Sequence, residues 1–410
     1  MRKPIMLSWL FSAVLMSACA GQNENAGEGE IEKANFVVKL SLEDAVNGGK
    51  TRAAQSLAIP ETSWDNIRQV QLFLYDISTN TVRFSDIITP SASNTTFTYP
   101  DVPVGTYTVV AVANAKSSTD AISTYLDGGN TAAEWTMWNV RQKQVQNLTL
   151  KFKPSAFPDF CGSAMTGKMA FAEPSEIFMG SATGVTVSAA GTTTVPALTL
   201  KREVALMRVR LNVREADGTN NDNSAQGVDF TQDASIMLHR LPELMTIQEG
   251  NAGGVGSTSS ITNVLAISGG EVFHTADPVA GYSPSTILGG NFTMWRDVVV
   301  FPNNGGRTNN GAVNGMASAQ QQYFIVVSGR AKAGHILSDG TALSSDATVY
   351  WSGVVKENFV PNVIREVNLT LRTGGTTTVP TNPTEYGGLS IEVSVPAPWD
   401  SNIVVSDIIL

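Results

Sequence analysis

Little in this sequence has both the side chains and the setting for covalent chemistry beyond one cysteine and one basic loop. Met16-Ser17-Ala18-Cys19 closes an apolar run that begins at Ile5, behind Arg2 and Lys3, and Ala20-Gly21 follows. Small residues directly before a cysteine at the end of a short apolar stretch read as a bacterial lipoprotein signal, because the stretch is too short to span ~30 Å of hydrocarbon. Residues 1–18 are then the signal, Cys19 the lipidated first residue, and the rest of the chain is exported. An ordinary secretory signal with a chance cysteine would also place the chain outside the cytoplasm.

The second reactive feature is the loop Asn47-Gly48-Gly49-Lys50-Thr51-Arg52-Ala53-Ala54. Exposed small and polar residues take up the extended form that a protease requires, so Lys50 and Arg52 mark a cleavable segment. A lone arginine in a loop carries little weight by itself.

Other catalytic groups are sparse. His239, His274 and His335 lie far apart with no paired spacing, and no glycine-rich phosphate loop opens a helical pattern. Asp217, Asp222 and Asp229, interspersed with asparagines, lack the final Glu of a calcium loop and read as a solvated hairpin turn. Cys161 reads as a small buried hydrophobe, and with Cys19 lipidated no internal disulfide forms. No enzyme activity, cofactor or metal is therefore expected. The 27 Lys and Arg against 36 Asp and Glu give a net charge of −9 without a basic cluster, which argues against nucleic acid as a partner.

The elements around these features read as strands. After a Gly/Glu/Asn-rich tether over residues 20–33, Phe36, Val38, Leu40 and Leu42 alternate with Val37, Lys39 and Ser41, the period of a half-buried strand. Further strands are expected at 70–75, 96–99, 105–113 and 145–152, and a second series at 204–213, 235–238, 260–267, 298–301, 323–327, 348–355, 363–371, 389–395 and 403–409. Short helices are expected only near 118–125 and 132–144. The spacing points to an all-β chain of two antiparallel sandwiches joined near residue 197, with domains at 53–197 and 198–410.

The far end of the sequence repeats the pattern of the first strand. Leu389, Ile391, Val393 and Val395 alternate with polar residues, and residues 403–410 are strongly apolar. Such strands lie in their own sheet or complete another molecule's, because an unpaired apolar edge invites association.

Several short motifs occur in order: the cysteine box at Cys19, the strand at 35–42, Thr51-Arg52-Ala53 before residues 67–75, and Val110-Ala111-Val112-Ala113-Asn114. Met165-Thr166-Gly167-Lys168, Leu200-Lys201-Arg202-Glu203-Val204-Ala205 and Arg365-Glu366-Val367-Asn368-Leu369-Thr370-Leu371 follow, and then Pro380-Thr381-Asn382-Pro383-Thr384 and Pro398-Trp399. In this order and spacing the chain resembles the FimA-type major fimbrillins of Bacteroidales.

The resemblance implies two transthyretin-like β-sandwich domains and a lipoprotein precursor at the outer membrane. It also implies an arginine-specific protease that cuts between Arg52 and Ala53. Removal of residues 19–52 would strip out the first strand, with Phe36, Val38, Leu40 and Leu42. The groove would then accept a donor strand from the next pilin subunit, giving a head-to-tail homopolymer on the cell surface. The donor region falls at 386–410, with Leu389, Ile391, Val393 and Val395, and Val404, Ser406, Ile408 and Leu410 or their alternates, as pocket residues. Residues 1–52 hold six Lys and Arg and six Asp and Glu, so the mature chain keeps its charge of −9. A pilus tip or accessory adhesin with host or bacterial ligands is an alternative. Another is a non-polymerising glycan-binding lipoprotein that uses exposed Trp135, Trp138 or Trp295 as a sugar platform.

Overall fold

Alternation in the first strand decides which way the N-terminal sheet faces. The computed structural model describes residues 31–43, 64, 67–114, 124–127, 141–213, 227–242, 245–247, 259–275, 294–303, 322–382, 388–393 and 397–398. In it β1 (Lys33–Leu42) turns Ala34, Phe36, Val38 and Leu40 inward and Lys33, Asn35 and Lys39 to solvent. Next come β2 (Val70–Asp76), β3 (Val82–Ile88), β4 (Thr96–Pro103) and β5 (Gly105–Ala113). Asp76 shapes the β2–β3 turn by accepting hydrogen bonds from Ser78 and Thr79, and these donors, Ser78 foremost, hold its carboxyl below the usual range.

After β6 (Thr124–Asp127), β7 (Thr149–Phe152) and β8 (Met169–Phe171), the chain returns through β9 (Phe178–Val187), β10 (Thr192–Thr194) and β11 (Leu198–Arg202). The N-terminal sheet runs β10–β1–β11–β9–β5–β2–β3, with β4 on the other side of β1. β2 and β5 are buried on both faces, as the apolar runs Leu72–Tyr75 and Val109–Ala113 suggest. Leu72, Leu74 and Val109 face the interior shared with β1, whereas Phe73, Tyr75 and Val110 face the core of the other half.

That other half holds β12 (Ala205–Asn212), β13 (Val228–Asp229), β14 (Ser235–Pro242), β15 (Met245–Thr246), β16 (Ser259–Ser268) and β17 (Met294–Val300). β18 (Tyr323–Ala331), β19 (Ala347–Val355), β20 (Val363–Leu371), β21 (Leu389–Val393) and β22 (Ala397–Pro398) complete it. One sheet is ordered β17–β12–β20–β21, with β22 also on β20, and the facing one β13–β18–β14–β16–β8, with β19 on β18. Their shared core runs through Phe152, Phe301 and Trp351 to the back of β2 and β5, and the Phe152 and Phe301 rings lie 4.4 Å apart.

The all-β sandwich expectation holds, with differences in detail. β10 and β11 carry the N-terminal sheet as far as Arg202, past residue 197, and β8 joins the other half through a parallel pairing with β16. Residues 124–127, partly inside an expected helix, form a strand because their pairing with β7 supplies the ladder. Residues 141–144 are not helical either: Gln142 has φ 63° and Gln144 bridges to Thr81. The strand expected at 145–152 opens with a 3-10 turn, Val145–Asn147, closed by the Leu148 N–H on the Val145 carbonyl. β3 and β9 carry no marked alternation, and Gly180 and Gly184 interrupt the apolar pattern of β9.

At Gly180 the backbone of β9 comes close to that of β11: a Cβ added there would lie 2.6 Å from the Thr199 carbonyl oxygen. Gly180→Ala is expected to destabilise the chain by about 1–3 kcal/mol, read as a lower urea midpoint. An unchanged midpoint would contradict this approach.

Candidate functional site

β1 sits between two walls of backbone. On one side β4 pairs antiparallel, with Phe36 opposite Tyr99 and Val38 opposite Phe97. On the other, β10 and β11 pair parallel in succession, Phe36 with Thr193 and Leu40 with Leu198. Pro196 falls between β10 and β11, where a ring without an N–H interrupts a ladder, and the Val195 N–H bonds the Val37 carbonyl at 2.9 Å. Contacts at the two ends are Val104 N–H to Glu32 carbonyl and Glu43 N–H to Leu200 carbonyl.

The inward face of β1 is apolar. Phe36 and Val38 have no exposed surface and Leu40 has 1%, among Val102, Val195, Leu198 and Leu200. Phe36, Val38 and Leu40 each contribute about 1.5–3 kcal/mol by this burial. Leu42 is partly buried against the same cluster. Tyr99 closes the side of the slot, its ring 6.4 Å from Phe36 and edge-on to Phe84 at 5.0 Å. Burial, reinforced by the nearby Asp86 carboxylate, keeps the Tyr99 hydroxyl protonated. Tyr107 donates to the Pro103 carbonyl at 2.9 Å and ties the β4–β5 turn to the same interior.

The sequence marks 96–99 as a strand and Leu200 as part of a motif, but does not place Tyr99, Val195, Leu198 and Leu200 against the first strand. The alternation in Thr96-Phe97-Thr98-Tyr99 and Leu198-Thr199-Leu200 is the signal that could have found them.

β1 is covalently separable. Among the described strands it is the first, and the next is β2; a cut between them detaches β1 without breaking the chain elsewhere in the sheet. Arg52 and Ala53 fall in that interval, and both, like Cys19, lie outside the described residues.

The expected donor residues divide. Leu389, Ile391 and Val393 lie in β21, paired with β20 and packed on the main core. They line a groove of 320 Å³ beside Gly353, Val354 and Lys356. Val395, Val404, Ser406, Ile408 and Leu410 lie outside the described residues, as do Trp135, Trp138, Asp217 and Asp222.

Several polar and aromatic groups elsewhere have structural partners. Trp295 is 5% exposed, with its ring 4.8 Å from His274 and the Arg208 guanidinium 5.9 Å away, which corrects its expected exposure as a sugar platform. Arg208 forms two bonds to Asp297, and Arg210 pairs with Glu366, whose carboxyl is raised by burial against the opposing pull of Arg210 and Arg208. Asp229 accepts from Thr231 N–H at 2.8 Å in a turn, and the His335 ring meets the Gly374 carbonyl. Cys161 is buried, its Sγ 3.9 Å from Met237 Sδ, and burial pushes the thiol up to about 11. Among the described residues, no three His, Cys, Asp or Glu side chains could hold a metal ion.

Two outcomes follow from this geometry. Phe36→Ala in the uncut chain is expected to cost about 3–5 kcal/mol and Lys39→Ala less than about 0.5 kcal/mol, measured as denaturation midpoints; equal effects would contradict the inward and outward faces. His239 has no exposed surface, its ring is 5.3 Å from Phe324, and burial, with Lys168 and Arg240 nearby, pushes its pKa down to about 3. The unfolded chain takes up a proton there below about pH 6.5 and the native chain does not, so stability is full above that pH and falls toward pH 3 by up to ~1.4 kcal/mol per unit. His239→Leu should flatten that part of the slope in urea titrations at pH 5 and 7, and an unchanged slope would place the lost proton elsewhere.

No curated protein matches the chain. Among solved structures it is similar to a candidate cell adhesion protein from Bacteroides eggerthii, at 14% identity over 91% of this chain and 98% of that one, with a TM-score of 0.44. It is also similar to a fimbrilin (FimA) from Porphyromonas gingivalis, at 14% identity over 90% and 98%, TM-score 0.41. A third, described as a candidate polysaccharide-binding protein from Bacteroides thetaiotaomicron, aligns at 12% identity over 84% and 94%, TM-score 0.39. The family profile of the fimbrillin-A associated anchor proteins Mfa1 and Mfa2 matches residues 35–271. That stretch is more than half of the chain and takes in β1, both walls of its slot and β8, so the protein belongs to the fimbrillin-A associated family.

Proposed function

We propose that this protein is a structural subunit of a bacterial surface fimbria, exported as a lipoprotein on Cys19, cut after Arg52 and polymerised by strand exchange to support adhesion. One observation carries the reading: β1 fills an interior slot of the sheet, and only the segment containing Arg52 joins it to β2. Loss of β1 would leave two rows of unpaired backbone groups and an apolar groove, which a strand from another copy satisfies in both respects. Strand addition of this kind is head-to-tail and propagates as a filament. The precursor would sit at the outer membrane by its lipid and the cut subunit on the cell surface. With the net charge unchanged at −9 by the cut, growth rests on apolar insertion and should depend little on salt.

An anchor role is the second reading, and the matched family, named for anchor proteins, favours it. An anchor keeps β1 and its lipid and receives no strand. Purified non-lipidated precursor treated with an arginine-specific protease separates the two. A new amino terminus at Ala53 followed by SDS-resistant oligomers is expected for the subunit, and Arg52→Ala should abolish both. A chain shortened to end at Trp399 should be cut yet form no oligomers. An intact β1 after digestion would move the assignment to the anchor.

A further inference from the structure

We infer that the chain binds a monovalent copper ion between Cys161, Met165, Met237 and His239, beneath the strap that joins β7 to β8. The site lies away from the β1 slot and is independent of whether the chain polymerises.

Two donors come from the strap and two from the sheet that it covers. The 3-10 turn Asp159–Met165 is broken at Gly162, where φ is 53°, and Cys161 and Met165 are buried while Gly162, Ser163 and Ala164 between them are exposed. Both sulfur side chains thus turn toward the sheet. The Tyr350 hydroxyl donates to the Phe160 carbonyl at 3.0 Å and pins the strap to β19. Below it, Met237 and His239 stand two apart on β14 and so project from the same face. Met237 is opposite Ala266 and Val326, and His239 is opposite Val264 and Phe324. All four of these neighbours belong to the apolar cluster that holds Cys161, Met165 and Met237.

His239 is the member that packing alone does not explain. It has no exposed surface, and among the described residues neither of its ring nitrogens has a hydrogen-bond partner. Buried polar groups are nearly always satisfied, so an imidazole left bare among sulfur side chains points to a ligand that takes up a nitrogen. The sulfurs agree with this. Cys161 Sγ and Met237 Sδ lie 3.9 Å apart, and bonds of about 2.3 Å from one metal at the tetrahedral angle set two sulfurs about 3.8 Å apart.

The donor types choose the ion. Thiolate and thioether are soft ligands that select Cu(I), and imidazole also suits copper. Two of the four donors are thioethers, and no carboxylate is among them, so a hard, oxygen-seeking cation is poorly served. Charge argues the same way. As the copper–sulfur bond forms, Cys161 gives its thiol proton to solvent, and Cu(I) and the thiolate then cancel. A divalent ion would leave a net positive charge buried with Lys168 and Arg240 near His239.

The test uses the full-length, non-lipidated chain with Cys19→Ser, which leaves Cys161 as its one thiol. It is titrated anaerobically with Cu(I) in competition with the chelator bathocuproine disulfonate. One Cu(I) per chain should be retained, and Cys161→Ala, Met237→Leu and His239→Leu should each weaken retention by about tenfold or more. X-ray absorption should show sulfur and imidazole neighbours around the copper, the imidazole signal being lost in His239→Leu. Thermal melting of the metal-free variants checks folding. Met165→Leu and Met237→Leu keep the side-chain volume and carry the test if Cys161→Ala or His239→Leu does not fold. No retained copper, or copper retained equally after Cys161→Ala or after both methionine changes, would overturn the site. A shell of sulfur alone would overturn the part given to His239, and Zn(II) held as tightly as Cu(I) would overturn the monovalent assignment.

Discussion

A strand inside a sheet has to satisfy two rows of backbone donors and acceptors and one face of side chains at once, and in this chain β1 is that strand. β4 depends on it most. Among the described residues β1 is the only strand paired with β4. Beyond that ladder, β4 is held by the edge-on Tyr99 and Phe84 rings and by the turn that Tyr107 secures. β10 and β11 would likewise lose a whole edge, although the pairing of β11 with β9 would remain. The slot is thus a place whose backbone rows and apolar face β1 satisfies together.

The consequences of an empty slot stop at β2 and β5. Their inner side chains, Leu72, Leu74 and Val109, share the interior with β1, but Phe73, Tyr75 and Val110 on the opposite face belong to the larger core of the other half. Arg202 reinforces this wall at the junction. It is buried, bonded through Nε and Nη2 to Glu176 and through Nη1 to Asn362, with its guanidinium 5.0 Å from the Phe178 ring centroid. A sheet with both faces covered can lose a neighbouring strand and keep its form, because half of its apolar contacts lie elsewhere.

Much of this was legible in the sequence wherever one face of a strand meets water. The period of β1 and of residues 389–393 comes from such one-sided burial, and so β1 and β21 could be picked out directly. The walls of the slot were harder to find. β9 hides behind Gly180, which is required by close approach to Thr199, and β10 and β11 are split by Pro196. The exchange of β8 into the other half was not legible at all, since a three-residue strand has no period and its partner Val264 lies far along the chain. Trp295 misled for a related reason: the Arg208 and His274 side chains that cover it come from separate segments.

The direction of a replacement strand cannot be chosen by the ladder. β1 is antiparallel to β4 and parallel to β10 and β11, so the two walls run opposite to each other. Any strand laid between them, whichever way it enters, is parallel to one and antiparallel to the other, and the small energetic difference between the two pairings cancels. Selectivity must then come from features that the ladder does not average out. One is the gap at Pro196, where the wall offers Val195 N–H in place of a continuous ladder. The other is the run of inward positions, where Phe36 needs the space beside Tyr99 and where a charge has no partner. A one-residue slip would turn every inward side chain outward, so burial on one face is what fixes register here.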